Sequence, residues 1–597
     1  MAINPIQSFI PPLFLRQALC LSLAGLLASS PAVAQTQPDA GSILQQLTPQ
    51  IPQIAPALPS VESRQDDPLA PIPAAGPTVL ITSMTIVDVD GVLTDEEKFA
   101  LVGDATGQRL DYAGMLSYRD KVTAYLRAKG YLMARAYLPR QDVTDGTVEI
   151  HILIGRLDEQ QSFLFEREDA NDAADDARPS SELDVDFLTR MAAAHLTPGE
   201  ALSEAPLNAS VLKMSDLHGI NATATLTQGA ELGELRVRYQ LQTEPRHNLL
   251  AWVDNQGNRS TGETQAAAQY RLVNPSGKGD QLSLFANHSN GVDLANLSYA
   301  TPLNPHGLML NLGYLNLDYR VMTEFGREQQ SRGSVQGVNA GLTYALIRSR
   351  VHNLYLSGEF SKQHLLDEVR GDIIKQRDKH SLKLGLNGDW LDGRYGGGFN
   401  SWSFNWTQGQ LDLPIGLDAD QGGFQTAGGY TKLNLSFNRI QRLNADWTAS
   451  LAYRGQRAFK NLDSSEQMSL GGVSGVRAYP GSEASGDEAD LINFELRYEL
   501  PQTGWFDSAQ LTAFYDIGWV QLHKDLGNQR PNNQQEINAY SLQGAGLGIR
   551  MTRRNNLMLQ LQLASKIGTN PGLDNNGNDA DGRTDDTRVW AQLVKWF

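Results

Sequence analysis

The chain has 597 residues, too many for one ordinary hydrophobic core, so two or three domains are expected. Its net charge is −17, which argues against a general nucleic-acid role, because phosphate binding needs clustered cations. The one cysteine, Cys20, lies in the N-terminal segment, so disulfides, thiol nucleophiles and zinc-thiolate sites are excluded from the rest of the chain.

Residues 1–34 read as a secretory signal peptide. Arg16 is its only charge, an apolar stretch runs from Ala18 to Leu27, and Ala32-Val33-Ala34 supplies a small-x-small cleavage pattern. The apolar run is shorter than the ~20 residues a membrane-spanning helix needs, and no later stretch reaches that length. If the chain spans a membrane, it does so with strands. In the next segment, 35–77, residues 41–47 (GSILQQL) read as a short helix. Eight prolines between Pro49 and Pro77 then exclude a continuous helix or a central strand, leaving an extended tether.

Residues 78–157 carry a mixed pattern. TVLITSMTIVDV reads as a strand, and Thr94 with Glu97 forms a capping box. A second helix runs from about Asp111 to Lys129, with Met115, Tyr118, Val122, Tyr125 and Leu126 at three-to-four spacing before Gly130. Strands at Leu132–Leu138 and Thr147–Gly155 follow. Residues 158–245 repeat the order strand, helix, helix, strand, strand: Asp158–Phe165, helices near 185–195 and 206–217, then Ile220–Gln228 and 232–242. The acidic insert after Phe165 (EREDANDAADDARPSSELD) reads as a solvated loop.

From residue 246 to Phe597 the period becomes two. Trp402, Phe404 and Trp406 face one way and Ser401, Ser403 and Asn405 the other. Leu433, Leu435 and Phe437 oppose Lys432, Asn434 and Ser436; Leu557, Leu559, Leu561 and Leu563 oppose Gln560 and Gln562. Counting gives sixteen candidate strands, several near the ~9–11 residues that cross a bilayer when tilted. Short connections such as NPSGKG, PLNPH and IRSR alternate with longer stretches at 320–332, 366–377, 413–425, 460–488, 522–539 and 568–586. That alternation marks an outer-membrane barrel with short periplasmic turns and long external loops. An even strand count puts both barrel ends in the periplasm, and the last strand ends in Trp596-Phe597.

A secreted chain with two such modules before a sixteen-stranded barrel resembles the outer-membrane transporters of two-partner secretion, the TpsB family (ShlB/FhaC/HecB-like), within the superfamily of POTRA-plus-barrel translocases. Asp254-Asn255-Gln256-Gly257-Asn258 with Gly262, the stretch from Asn274 to Leu282, and Tyr299-Ala300-Thr301-Pro302-Leu303 resemble family segments in their order and spacing. The resemblance implies a fold of α+β POTRA modules (78–157 and 158–245) followed by a 16-stranded antiparallel transmembrane β-barrel (246–597). It also implies that the 41–47 helix plugs the pore. Between the eleventh and twelfth strands, Val476-Arg477-Ala478-Tyr479 resembles the superfamily's VRGY/F motif on a loop that folds into the lumen. In strand thirteen Phe514, Asp516 and Gly518 match F-x-D-x-G. In relatives the loop arginine contacts that aspartate, so Arg477 is expected to pair with Asp516. Ala478 departs from the usual glycine, which puts the local turn in question, since a methyl group restricts positive φ.

The implied function is export of an unfolded partner exoprotein bearing an N-terminal secretion domain, captured by the POTRA modules and released outside without ATP. The implied surroundings are the lipid bilayer and lipopolysaccharide of a Gram-negative outer membrane. Periplasmic chaperones and the barrel-assembly machinery would insert the chain, reading Trp596 and Phe597. No cofactor, metal or nucleic acid is expected. An insertase of the same superfamily is the alternative, but those carry more POTRA modules. A diffusion porin needs no periplasmic modules. An enzyme is disfavoured: no G-x-S-x-G elbow is present, and His151, His195, His288 and His364 are scattered without metal spacing. Residues 574–586 (DNNGNDADGRTDD) lack the calcium-loop spacing of an EF-hand and read as an external solvated loop.

Overall fold

The computed structural model describes residues 38–46, 77–131, 133–168, 183–231, 233–501, 504, 506–554 and 556–597. The expected signal peptide, nearly all of the proline-rich tether and most of the acidic insert lie outside the described residues. No helix among the described residues is long and apolar enough to cross a membrane.

After a short helix, α1 (Ala40–Gln46), come two α+β modules. In the first, α2 (Asp95–Val102) and α3 (Tyr112–Ala128) cover a three-stranded sheet of Ser83–Val87, Thr147–Leu153 and Arg135–Tyr137. The core is Ile81, Leu101, Val122, Leu126, Val148 and Ile150. Thr94 and Glu97 form the reciprocal cap of α2. The expected single strand over 78–89 is two pieces. Val79–Leu80 pairs with Leu110 and Arg109, while Ser83–Val87 pairs in parallel with Thr147–His151, so the chain changes partner at Ile81-Thr82.

In the second module Glu234–Thr243 is central, flanked by Ile220–Gln228 on one side and Phe163–Glu168 on the other. Helices α4 (Val185–Ala193) and α5 (Glu204–Ser215) complete a core of Leu188, Met191, Met214, Val237, Tyr239 and Leu241. The strand expected at 158–165 is also split, into Arg156–Leu157 and Phe163–Glu168. Asp158 causes the break. Its carboxylate accepts the Gln160 and Gln161 N–H groups, the local turn that short acidic side chains favour, and it pairs with Arg236. The Gln161 N–H and Arg236 hold the Asp158 carboxyl at about 2, well below its ordinary value.

The remainder is a closed antiparallel barrel of sixteen strands. They are β1 (His247–Asp254), β2 (Gln265–Val273), β3 (Gln281–Ser289), β4 (Val292–Pro302), β5 (Met309–Arg320), β6 (Arg332–Arg348), β7 (His352–Val369) and β8 (Asp372–Asp392). Then follow β9 (Gly398–Ile415), β10 (Gly428–Arg442), β11 (Trp447–Ala458), β12 (Glu488–Glu499), β13 (Ser508–Gln521), β14 (Ala539–Arg553), β15 (Leu557–Lys566) and β16 (Thr587–Trp596). Closure is by β1 and β16, Leu250 facing Trp596 and Asp254 facing Gln592. The Phe597 N–H donates to the Leu249 carbonyl beyond the last pair.

The outward face carries Leu297, Leu312, Tyr314, Val338, Leu342, Leu382, Leu384, Leu547, Leu561 and Leu563, all exposed. A closed cylinder leaves no unpaired strand edge, the condition for β-structure in lipid. One expected loop is corrected. Residues 366–377 are not a loop but the ends of β7 and β8, joined by a tight turn at Arg370-Gly371 with φ of 53° and 89°. These strands have 18 and 21 residues, roughly twice the ~9–11 that a bilayer needs, so the hairpin projects well beyond it.

The second module sits on the short-turn end of the barrel. Arg348 donates to Asp216 from Nε at 3.0 Å and Nη2 at 2.7 Å. Lys213 Nζ reaches the His306 carbonyl at 2.9 Å, and the His218 and Asp184 N–H groups bond the Gly279 and Gly277 carbonyls. Three turns, β2–β3, β4–β5 and β6–β7, thus grip one module.

Candidate functional site inside the barrel

The β11–β12 connection, residues 459–487, holds the lumen motif. Period-two alternation along β13 turns Phe514, Asp516 and Gly518 inward and leaves Tyr515 and Trp519 on the exposed outer face. The loop meets them with Val476, Arg477, Ala478 and Tyr479, all buried. Arg477 Nε donates to Asp516 Oδ2 at 2.9 Å and Nη2 to Oδ1 at 2.7 Å, a two-pronged contact that fixes direction as well as distance. The Arg477 backbone N–H adds a third bond to Asp516, at 3.1 Å, and Asn493 Nδ2 a fourth, at 2.7 Å.

Three further partners complete the seat. Arg477 Nη1 donates to Glu495 of β12 at 2.7 Å. Its Cζ lies 3.6 Å from the Phe514 ring centroid, within cation–π range. Its carbonyl accepts the Trp590 indole N–H of β16 at 2.8 Å. Each F-x-D-x-G position therefore has a physical use. Phe514 stacks on the guanidinium and Asp516 pairs with it. Gly518 leaves room for the loop, since a Cβ there would lie 2.8 Å from Leu470 Cδ2.

The departure at Ala478 is accommodated. Its φ is not positive, and its side chain is fully buried against Gly544 of β14. A Cβ on Gly544 would lie 2.7 Å from that of Ala478, so the glycine is on the wall instead of in the loop. Gly544→Val is expected to unseat the loop by about 1–3 kcal/mol, the usual cost of overpacking. The measurement is proteolysis of residues 470–485 from outside, with heat-modifiable migration as the check that the barrel still forms. Unchanged proteolysis would remove this methyl–glycine fit from the account.

Both ends of the loop are tied down. At its root, Glu466 meets Lys379 of β8 at 2.5 Å and Lys432 of β10 at 2.8 Å. At its tip, Glu483 accepts Asn570 Nδ2 at 2.9 Å and the Ala580 N–H at 2.6 Å, both from the β15–β16 connection. In that connection Asp579 pairs with Lys566, and Asp581 with Arg588. Asp574, Asp579 and Asp581 of the 574–586 stretch are thus used internally, and no group of three or more candidate metal ligands occurs among the described residues.

Helix α1 also lies in the lumen. Ala40 and Ile43 pack on the inward side chains Trp252, Phe285, Leu294, Leu317, Val335 and Leu365. Its cap, Asp39, reaches Arg377 of β8 at 2.8 Å. A cavity of 460 Å³ separates Gln45 and Gln46 from Gly471–Gly475, and a second of 370 Å³ is lined by Arg477, Glu495, Arg497, Arg550 and Gln562. The lumen combines polar cavity walls with an apolar patch beneath α1, and two chain segments occupy it.

Sequence reasoning missed Glu495, Asn493, Trp590 and Arg377. The alternation in NFELRY places Asn493, Glu495 and Arg497 on the lumen face, but says nothing of which charge meets Arg477. Trp590 carried a signal, an aromatic at a lumen position of VWAQLVKW.

A model of the haemolysin secretion/activation protein family ShlB/FhaC/HecB matches residues 233–551, more than half of the chain. A ShlB-type POTRA domain model matches residues 83–155. The heme/hemopexin transporter protein HuxB of Haemophilus influenzae is 28% identical over 592 residues, covering 96% of this chain and 97% of its own. The outer membrane transporter CdiB of Dickeya dadantii is 24% identical over 436 residues, covering 71% and 72%. The solved structure of CdiB from Escherichia coli shares the fold, with a TM-score of 0.68 at 20% identity over 89% of this chain and 93% of that one. The chain belongs to the ShlB/FhaC/HecB family: an outer-membrane two-partner secretion transporter, with a sixteen-stranded barrel in the membrane and POTRA structure on the periplasmic side.

Proposed function

We propose that this transporter passes an unfolded exoprotein through the barrel by moving the two segments that fill its lumen. The observation that carries the reading is the loop seated by Arg477 on Asp516 beside a second, separately attached helix. Each segment packs a few apolar side chains on the wall, Ala40 and Ile43 on α1 and Leu470, Val476 and Tyr479 on the loop, and adds directional polar bonds. Both patches are small and adjoin wet cavities, so either segment can leave and return. In this reading Arg477, with Val476, Ala478 and Tyr479, and Phe514, Asp516 and Gly518 form the working contact, and α1 is the pore plug.

Residues 78–157 and 158–245 are then POTRA 1 and POTRA 2, 246–597 the barrel, 1–34 the leader and 35–77 the plug and tether. The modules present sheet edges that accept an extended client strand. The second, fixed on the barrel turns by Asp216–Arg348, hands the client to the pore mouth. Folding of the client outside supplies the drive, with no ATP and no catalytic residue. Periplasmic chaperones and the barrel-assembly machinery insert the chain by way of Trp596 and Phe597, under an outer leaflet of lipopolysaccharide. The HuxB likeness makes an exoprotein concerned with heme or hemopexin the first client to try.

The test is co-expression of the chain and a candidate exoprotein in a Gram-negative host. The exoprotein is expected in the medium only when the chain is present. Its release without the chain, or ion conductance by a chain that exports no such partner, would overturn the reading.

A further inference from the structure

The lumen helix and the long loop meet at one cation. Arg377 is completely buried on the inner wall. Its Nη2 donates to Asp367 of the neighbouring strand β7 at 2.5 Å. Its Nη1 is shared between two carboxylates carried by two different segments. One is Asp39, the cap of α1, at 2.8 Å. The other is Asp463, at the root of the loop, at 3.2 Å to each oxygen. Lys375 is the second cation of the group, 3.2 Å from Asp463 and 3.8 Å from Asp39.

Three carboxylates therefore face two cations. With helix and loop both seated, one negative charge is in excess. With α1 gone, the charges of this group balance. Departure of the loop would balance it too, but would take Glu466 away from Lys379 and Lys432 and leave those cations bare. Removing one partner of a buried ion pair is ordinarily costly because a bare charge stays behind. Departure of α1 avoids that cost, since Asp367 and Asp463 remain on Arg377. The other contacts between the segments are few and local. Ser464 Oγ donates to Asp39 at 2.8 Å, Gln45 Nε2 donates to the Ser465 carbonyl, and Gly41 leaves no space for a side chain beside Ser464 and Ser465.

We propose that Arg377 is the positioning residue that makes seating of the lumen helix reversible, because Asp39 and Asp463 compete for its Nη1. The root of the loop thereby sets how firmly the helix is held. The consequence for transport rests on α1 being the plug, but the competition itself does not.

The test uses the full chain with Cys20→Ser and Ile43→Cys, so that a thiol reagent reports how often the helix leaves its site. Asp39→Asn keeps a helix cap but loses the charge-assisted bond, and labelling is expected to speed up about tenfold or more. Asp463→Asn keeps its acceptor for the Ser465 N–H and removes the competitor, so labelling is expected to slow. In the Asp39→Asn background, Asp463→Asn should then change nothing. Equal acceleration by the two single variants, the result for independent anchors, would overturn the proposal, as would no response to either. Conductance of the protein lacking residues 38–46 decides the plug reading separately. An unchanged conductance removes the plug and leaves the labelling rates to judge the competition.

Discussion

Arg477→Ala is expected to lower export of the client by about tenfold or more while the barrel still assembles and shifts on heating. The expectation follows from what the substitution leaves behind. Asp516 is fully buried, and Glu495 is three-quarters or more shielded on the same wall. Without the guanidinium, Glu495 keeps Arg497, but the buried Asp516 loses its bonded cation and keeps only the Asn493 Nδ2 and the backbone N–H of residue 477 as donors. Stripping one member from a buried pair costs about 3–5 kcal/mol, and every ~1.4 kcal/mol is a factor of ten in the seated fraction of the loop. The barrel loses little, because its strands are joined by backbone bonds that Arg477 does not make. Arg477→Lys is a sharper form of the test. A lysine carries the charge but not the planar fork, and it cannot serve Asp516 and Glu495 in the present geometry. It is therefore expected to restore only part of the export. Normal export by a well-assembled Arg477→Ala protein would remove the loop contact from the mechanism.

The barrel was legible because lipid imposes a rule on every residue it touches. Outward side chains must be apolar and the lumen tolerates polar ones, so SWSFNWT and LMLQLQLA alternate and their strands could be bounded to within a few residues. The rule ends where lipid ends. Ile373 and Ile374 are consecutive and both exposed on the projecting β7–β8 hairpin, so the period fails there and the segment reads as a loop. In the modules, Asp158 and the change of partner at Ile81-Thr82 broke strands that apolar content alone would continue.

The site divides in the same way. Arg477 and Asp516 stood out through motifs resembling those of a known family. Their surroundings did not, because alternation gives the face on which Glu495, Trp590 or Arg377 lies and not the partner it meets across the lumen. Asp39 and Arg377 are 338 positions apart, and only closure of the cylinder brings them together. Ala478 shows the converse. A departure from a local pattern was made harmless by Gly544, on a strand that no local reading connects to it.

The lipid-facing assignment itself has a large expected effect at one pair of neighbours. Leu561 and Gln562 are adjacent in β15 near its middle, and the pleat sends them to opposite faces. Leu561 is exposed on the outer surface with Leu563, whereas Gln562 shares the inward face of β15 with the buried Met558 and Ala564, beside the 370 Å³ lumen cavity. Leu561→Arg places a charge in the hydrocarbon layer, at a cost of about 2–4 kcal/mol at the bilayer midplane. Gln562→Arg places the same charge one residue on, beside a polar cavity that also holds Arg477, Arg497 and Arg550, where water screens the like charges and no hydrocarbon is met. Folding into lipid bilayers, followed by the heat-modifiable gel shift and by denaturant midpoints, is expected to show a large loss for the first variant and a small one for the second. Because the two substitutions create the same side chain in the same strand, propensity and chain entropy cancel between them. What remains is the medium each face touches. Equal losses would mean that both faces of β15 meet similar surroundings, as in two sheets packed against each other, and a polypeptide path through the centre would go with the barrel.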